Sequence, residues 1–291
     1  MSNPLHAPYY ADQALSCTVP VLENVEIARN TYRLRFESPQ MSRRFLPGQF
    51  LMLRLAGLQD PLLGRPLALY DTVCTPDGTP RGIDVVYLVM GKMTTRLAEA
   101  SPGDQLAVWG PLGNGFHPQP VDHLIMVAGG VGYTPFPAVA REHLGSRQYG
   151  QPARTTSNAS RVSMCYGARS AEFLAGIENF SEIGVDLHLA TDDGSRGHHG
   201  LVTDVLEQVL EQNGSDSRRI LCCGPEPMME RVSEIAEQQQ IDCVVSLETP
   251  MACGIGICFS CVAKVREEAG GWDYKRTCVD GPVFDARQIQ W

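Results

Sequence analysis

The 291-residue sequence has no apolar run long enough to cross a bilayer. Its longest uncharged stretch, Leu124–Ala140, is interrupted by Gly129, Gly130, Gly132, Pro135 and Pro137. It falls short of the roughly 18 apolar residues a spanning helix needs. The opening MSNPLHAPYY has neither a basic region nor an apolar core, so it does not read as an export signal. There is no excess of positive charge: 24 Lys and Arg stand against 33 Asp and Glu, for a net charge of −9. A nucleic-acid backbone needs a basic face, and no basic cluster supplies one. Repeats and low-complexity tracts are also missing. Gly (28) and Pro (20) together make roughly a sixth of the chain, below the quarter or more of low-complexity sequences. Membrane, nucleic-acid, collagenous, coiled-coil and disordered classes are set aside. With 43% hydrophobic residues, the chain can bury about two domain cores.

Cysteine is plentiful, at ten residues. Without an export signal, a reducing cytoplasmic setting is expected, where thiols serve metals or catalysis rather than disulfides. Residues 1–16 read as a mobile leader. From residue 17 to 118, short apolar runs alternate with turn signals such as Pro47-Gly48, Asp77-Gly78 and Pro102-Gly103. The runs are Val19–Ile27, Tyr32–Glu37, Gln49–Leu55, Leu67–Tyr70, Ile83–Met90 and Gln105–Trp109, with a helical turn at Thr94–Ala100. Six short strands predict a small antiparallel β barrel. From 119 to 247 the pattern changes to apolar runs alternating with helical stretches. The runs are Leu124–Ala128, Val162–Tyr166, Val185–Ala190, Ile220–Cys223 and Val244–Leu247. Helical stretches run from the glycine loop to Leu144 and over Leu201–Gln212 and Glu226–Gln239. This predicts an α/β domain with a doubly wound parallel sheet. The polar stretch Ser146–Ser160 reads as a flexible surface insertion. Residues 248–291 form a short third segment rich in cysteine.

That segment carries the most specific signal. Cys253-x4-Cys258-x2-Cys261, with Cys278 later, has the spacing of a two-iron, two-sulfur cluster. Gly254 and Gly256 let the loop backbone approach the cluster, and Ala252, Ile255, Ile257 and Phe259 are placed to shield it. A structural zinc site is the alternative, though Cys278 lacks the paired cysteine such sites usually have. Cys17, Cys74, Cys165, Cys222 and Cys243 lie in or beside apolar runs and read as buried structural thiols.

Two loops stand at strand ends before helices. Gly129-Gly130-Val131-Gly132 offers a helix N-terminus suited to a pyrophosphate, or is merely a tight strand–helix turn. Cys223-Gly224-Pro225 has the same setting, and ligands of doubly wound sheets bind beyond such strand ends. Within the barrel, Arg65 enters a strand where its guanidinium can meet a phosphate or remain a surface cation. Gly91-Lys92-Met93-Thr94 is equally a phosphate loop or a capped helix start. His198-His199 reads as a solvated pair.

The ordered set PGQF, GRPLALY, GPLGNGF, GGVGYTP, TDDGS, CGPEPMM, MACGIGICFSC and CVDGPVF resembles the ferredoxin-reductase-like superfamily. More closely, it is similar to the electron-transfer subunits of two-subunit, NAD-dependent dihydroorotate dehydrogenases, over nearly the whole chain after residue 17. The resemblance implies FAD on the barrel, NAD(H) on the α/β domain and a [2Fe-2S] cluster held by Cys253, Cys258, Cys261 and Cys278. It assigns Arg65, Pro66, Leu67 and Ala68 to the first flavin motif, Tyr87, Leu88 and Val89 to a second, and Met93 and Thr94 to a phosphate motif. Gly129, Gly130, Gly132, Cys223, Gly224 and Pro225 fall to the nicotinamide side. Two positions depart from the pattern: Ala68 lacks the usual hydroxyl, and Met93 replaces a glycine. The implied partner is an FMN-containing dihydroorotate dehydrogenase catalytic subunit, two copies of each, with no nucleic acid and no membrane. Reductase subunits of sulfide dehydrogenase, ferredoxin:NADP oxidoreductase and hydrogenase complexes share these motifs. A zinc-stabilised, non-catalytic interaction module is a further alternative. Asp192 and Asp193 would disfavour a 2′-phosphate if they face the ribose.

Overall fold

The computed structural model describes residues 11–154, 156–212, 217–267 and 270–291. Its first part runs β1 (Leu15–Ala28), β2 (Thr31–Glu37), α1 (Pro39–Ser42), β3 (Phe50–Leu55), β4 (Arg65–Cys74), β5 (Pro80–Leu88), α2 (Lys92–Ala98) and β6 (Gln105–Leu112). The six strands close into a barrel in the order β1-β2-β5-β4-β3-β6. Alternation sets the faces: on β2, Leu34 and Phe36 are fully buried while Arg33 and Arg35 point outward. Met93 and Leu97 of α2 join the barrel core. The leader is shorter than expected. β1 begins at Leu15, where Leu15 and Ser16 pair with Gly110 and Trp109 of β6. Residues 1–10 of the expected leader lie outside the described residues.

The second part runs β7 (His123–Gly129), α3 (Phe136–His143), β8 (Arg161–Ala168), α4 (Ile177–Glu182), β9 (Asp186–Thr191), β10 (His198–His199), α5 (Val202–Glu211), β11 (Arg218–Cys223), α6 (Glu226–Gln238) and β12 (Asp242–Ser246). A hairpin, β13 (Val262–Arg266) and β14 (Trp272–Arg276), follows, then β15 (Val283–Asp285). The large sheet has the order β10-β9-β8-β7-β11-β12-β15. β7 is buried on both faces, which is why it reads as an unbroken apolar run. Strand order reverses between β7 and β11, opening a crevice beyond their carboxyl ends. The edge strand β15 runs antiparallel to β12 and comes from the cysteine-rich segment. Phe284 and Ile289 seal one sheet face, so that segment is not packed apart from the α/β part.

The stretch Ser146–Ser160 is not a loose insertion. Tyr149 is buried in the barrel core and donates its hydroxyl to Asp71 Oδ1 at 2.7 Å. Arg147 and Arg141 reach the same carboxylate at 2.8 and 2.9 Å. Arg154 forks onto buried Glu142 at 2.6 and 2.5 Å. Position 155 lies outside the described residues. Cys165, Cys222 and Cys243 are buried as expected, and burial pushes the Cys165 and Cys243 thiols up to about 12. Cys17 and Cys74 differ: both are half-buried, Cys17 lying 3.9 Å from Ser38 Oγ.

Candidate functional site

The cysteine loop lies on the outside of the barrel. An isolated barrel would carry polar groups there. Here β3 and β6 present Phe50, Met52 and Leu112, which pack with Cys261, Cys278 and Val279. Gly254, with φ +72°, has room for no Cβ: one would fall 2.5 Å from Met52 Cγ. The Cys261 and Cys278 sulfurs lie 3.1 Å apart, and Cys258 Sγ lies 3.2 Å from Ser260 Oγ. Four thiolates, two to each iron, suit a two-iron cluster. Among the described residues no three His, Cys, Asp or Glu side chains converge as a single zinc ion would require. The Ser260 hydroxyl, with the neighbouring amide, holds the Cys258 thiol down to about 6. The Ile255 amide donates to Cys253 Sγ at 3.4 Å. A Cys258 thiol held toward its thiolate form, with an amide aimed at the Cys253 sulfur, fits an iron–sulfur cluster. The expected shield needs correction. Ile255 packs against the barrel, but Ile257 and Phe259 are 65% and 63% exposed. The barrel wall covers Cys261 and Cys278 instead, while Cys258 is exposed.

Three features of this loop escape a reading of the sequence. Arg276 donates to Gly256 O at 2.7 Å and lies 4.9 Å over the Phe259 ring. The Trp109 indole N–H donates to Cys253 O at 2.9 Å. Asn114, inside GPLGNGF, bonds both the carbonyl and the amide of Val283, inside CVDGPVF, at 2.7 and 3.1 Å. Those two motifs interlock. Their only sequence signal is that both are rich in turn residues.

Arg65, Pro66, Leu67 and Ala68 open β4, which lies between β3 and β5, with Phe50 opposite Ala68. Leu67 turns into the core, while Arg65, Pro66 and Ala68 stay partly exposed. The Arg65 guanidinium meets the carbonyls of Gly64 and Leu63 at 3.1 and 3.4 Å. Leu88 and Val89, at and just beyond the end of β5, are half-buried. Tyr87 is different: it is buried, stacks on Tyr32 and donates to Asn24 Oδ1 at 3.0 Å. Its side chain belongs to the barrel, leaving only its backbone to face a ligand. Met93 also points into the core, which explains how it replaces a glycine without crowding the loop surface. The Thr94 hydroxyl accepts from the Met90 and Gly91 amides at 2.9 and 3.1 Å. It caps α2, and the first-turn amides of the helix are the groups left for an anion.

At the crevice, the two glycine loops are packed backbone against backbone. A Cβ on Gly132 would fall 2.3 Å from Cys223 O. One on Gly129 would meet Met228 Sδ at 2.7 Å, and one on Gly224 would meet Gly129 N at 2.9 Å. Gly130, with φ +54°, faces open space, and Pro225 leads into α6. Burial pushes the Cys223 thiol up to about 12, so it stays protonated at neutral pH. Asp192 and Asp193 are exposed beyond the end of β9. The Asp193 carboxylate is tied into its own turn by Ser195 N and Oγ at 2.9 and 2.6 Å.

A closed antiparallel barrel followed by a doubly wound sheet defines the ferredoxin-reductase-like oxidoreductases. Family models agree: an oxidoreductase FAD-binding domain matches residues 18–117 and an oxidoreductase NAD-binding domain matches 126–234. A solved NADH-dependent reduced ferredoxin-NADP oxidoreductase superposes with a TM-score of 0.77, at 28% identity, over 94% of this chain and 90% of that one. The cytochrome b5 reductase domain of Ulva prolifera nitrate reductase shares the fold at a TM-score of 0.56 and 19% identity, over 77% of this chain and 92% of that one. The remaining segment narrows the class: residues 248–290 match the iron-sulfur cluster binding domain of dihydroorotate dehydrogenase B. The electron transfer subunit of dihydroorotate dehydrogenase B (NAD(+)) from Desulforamulus reducens is 32% identical, over 93% of this chain and 97% of its own length. Its counterpart from Geobacillus kaustophilus is 35% identical, over 90% and 94%. The chain belongs to this family of electron transfer subunits.

Proposed function

We propose that this chain passes electrons between NAD(H) and the FMN of a dihydroorotate dehydrogenase catalytic subunit in pyrimidine biosynthesis. When bound, a flavin accepts the two electrons of a hydride and releases them singly to a two-iron cluster. The chain's own residues bind and orient. The backbone at Gly129, Gly130, Gly132, Gly224 and Pro225 holds the dinucleotide at the crevice, with Cys223 beside it as a neutral thiol. Arg65 and the first-turn amides at Met93 and Thr94 meet flavin phosphates. Pro66, Leu67, Ala68 and the Tyr87–Val89 backbone line the ring. Cys253, Cys258, Cys261 and Cys278 hold the cluster. We place the divisions of the chain at 17–118, 119–247 and 248–291, close to the limits of the matched stretches.

The observation that carries this reading is the packing of Cys261 and Cys278 against the outer face of β3, next to the strand bearing Arg65–Ala68, in a segment matching an iron-sulfur cluster binding domain. Exposed Ile257 and Phe259 beside the thiols, with Trp272 and Tyr274 on the hairpin, support a docked partner there. That partner performs the dihydroorotate chemistry, in an assembly of two copies of each chain. Among the described residues no helix is long and apolar enough to cross a membrane, in keeping with a cytoplasmic complex.

The test is the anaerobic visible spectrum of the purified chain, before and after NADH. Flavin bands and a broad cluster absorption, both bleaching with NADH, are expected. A colourless, zinc-containing protein that cannot be reconstituted with iron, sulfide and FAD would overturn the reading. The ferredoxin-NADP oxidoreductase likeness favours a second reading, a reductase subunit of such a complex. Co-purification with a dihydroorotate-oxidising flavoprotein supports the first; a partner carrying four-iron clusters supports the second.

A further inference from the structure

Trp109 sits on β6, pairing with Met52 of β3 and Ser16 of β1. Its side chain lies on the outer wall, packed against the cluster of residues that covers Cys261 and Cys278. One end of the indole donates to the main-chain carbonyl of Cys253 at 2.9 Å. The other end lies against Gly64, where a Cβ would come 2.9 Å from Cη2. Gly64 immediately precedes Arg65, so one rigid side chain spans β3 from the start of the flavin strand to the first cluster cysteine. Trp109 is half-buried, and the acceptor its N–H finds belongs to a ligand residue.

We propose that Trp109 is a positioning residue for electron passage between flavin and cluster. It fixes the Cys253 side of the ligand loop at a set distance from the Arg65–Ala68 strand. This rests on the function proposed above. The indole itself is neither oxidised nor reduced; it holds two other groups in register. Its N–H also keeps the Cys253 carbonyl satisfied and the loop still, so that the Ile255 amide stays 3.4 Å from Cys253 Sγ. Hydrogen bonding and exposure at the sulfurs set the potential of such clusters.

The test compares wild type, Trp109→Phe and Trp109→Leu as full chains loaded with FAD and cluster. Stopped-flow mixing with NADH follows flavin and cluster bands separately. Low-temperature EPR of the dithionite-reduced cluster reads the loop without any nicotinamide. Flavin bleaching should be equal in all three. Cluster bleaching should slow about tenfold in Trp109→Leu and less in Trp109→Phe, since small misplacements of held groups carry large rate penalties. The EPR signal should shift in Trp109→Phe, which keeps the bulk and loses the N–H. Unchanged cluster bleaching together with an unchanged EPR signal would overturn the proposal. If Trp109→Leu loses its cluster altogether, Trp109→Phe decides. If NADH bleaches neither band of wild type, the functional reading fails; the EPR comparison still decides whether Trp109 sets the loop.

Discussion

At the scale of single residues, glycine and histidine positions give the sharpest expectations. Gly132 needs no unusual backbone angle; it needs the absence of a Cβ, because the Cys223 carbonyl occupies that place. Gly132→Ala should push the two crevice loops apart. NADH-driven flavin bleaching should fall by about tenfold or more while the flavin spectrum is retained, as misplacement at a site distant from the chemistry does. His143 is buried on α3, bonding Val139 O at 3.0 Å through Nδ1, and burial lowers its pKa below the ordinary 6.5. The folded state therefore holds it neutral. The unfolded chain takes up the proton first as pH falls below about 6.5, so stability present above that value is lost on acidification. Urea midpoints at about pH 7 and pH 5 should fall in wild type and fall less in His143→Gln. The spacing of Cys253, Cys258 and Cys261 was legible in the sequence because it lies within one loop, a local property; the approach of Cys278 to Cys261 was not, since a hairpin separates them. The facing of Ile257 and Phe259 was not: an apolar residue in a loop reveals no side, and both point to solvent.

At the scale of elements, the six barrel strands and β7, β8, β9, β11 and β12 were legible to within a few residues, as period-two burial in β2 illustrates, whereas β10 and β13–β15 were not foreseen. The extension of β1 back to Leu15 was not, since it depends on β6 offering a partner edge. The stretch from Ser146 to Ser160 was misread for a related reason. It is polar apart from one aromatic, and that aromatic, Tyr149, enters the core of a barrel distant in sequence. Two arginines and a tyrosine then share the Asp71 carboxylate. Tyr149→Phe removes one hydrogen bond to a charged group and should cost about 1.5–3 kcal/mol in denaturant unfolding. Limited trypsin digestion should then cut sooner at Arg147 or Arg154, the two basic residues of that stretch.

At the scale of the whole molecule, three sites of different chemistry share one scaffold and can be separated. Cys278→Ser should abolish the cluster absorption while leaving NADH-driven flavin bleaching within about twofold of wild type, because Cys278 lies on the outer wall of the barrel, away from the crevice. Electron delivery to a dihydroorotate-oxidising partner should fall to background in the same variant. Equal delivery without a cluster would show that electrons bypass this wall. The sequence by itself determined the class of protein. Cysteine spacing, glycines at strand ends and the order of strands and helices are each short-range patterns, readable within a loop or an element. The tertiary structure alone decided which loops meet. It brought Cys261 to Cys278, pressed Gly132 against Cys223, and set β15 on the edge of the large sheet. Contacts between residues far apart in the chain depend on the path of the backbone and on close packing. No local pattern records either.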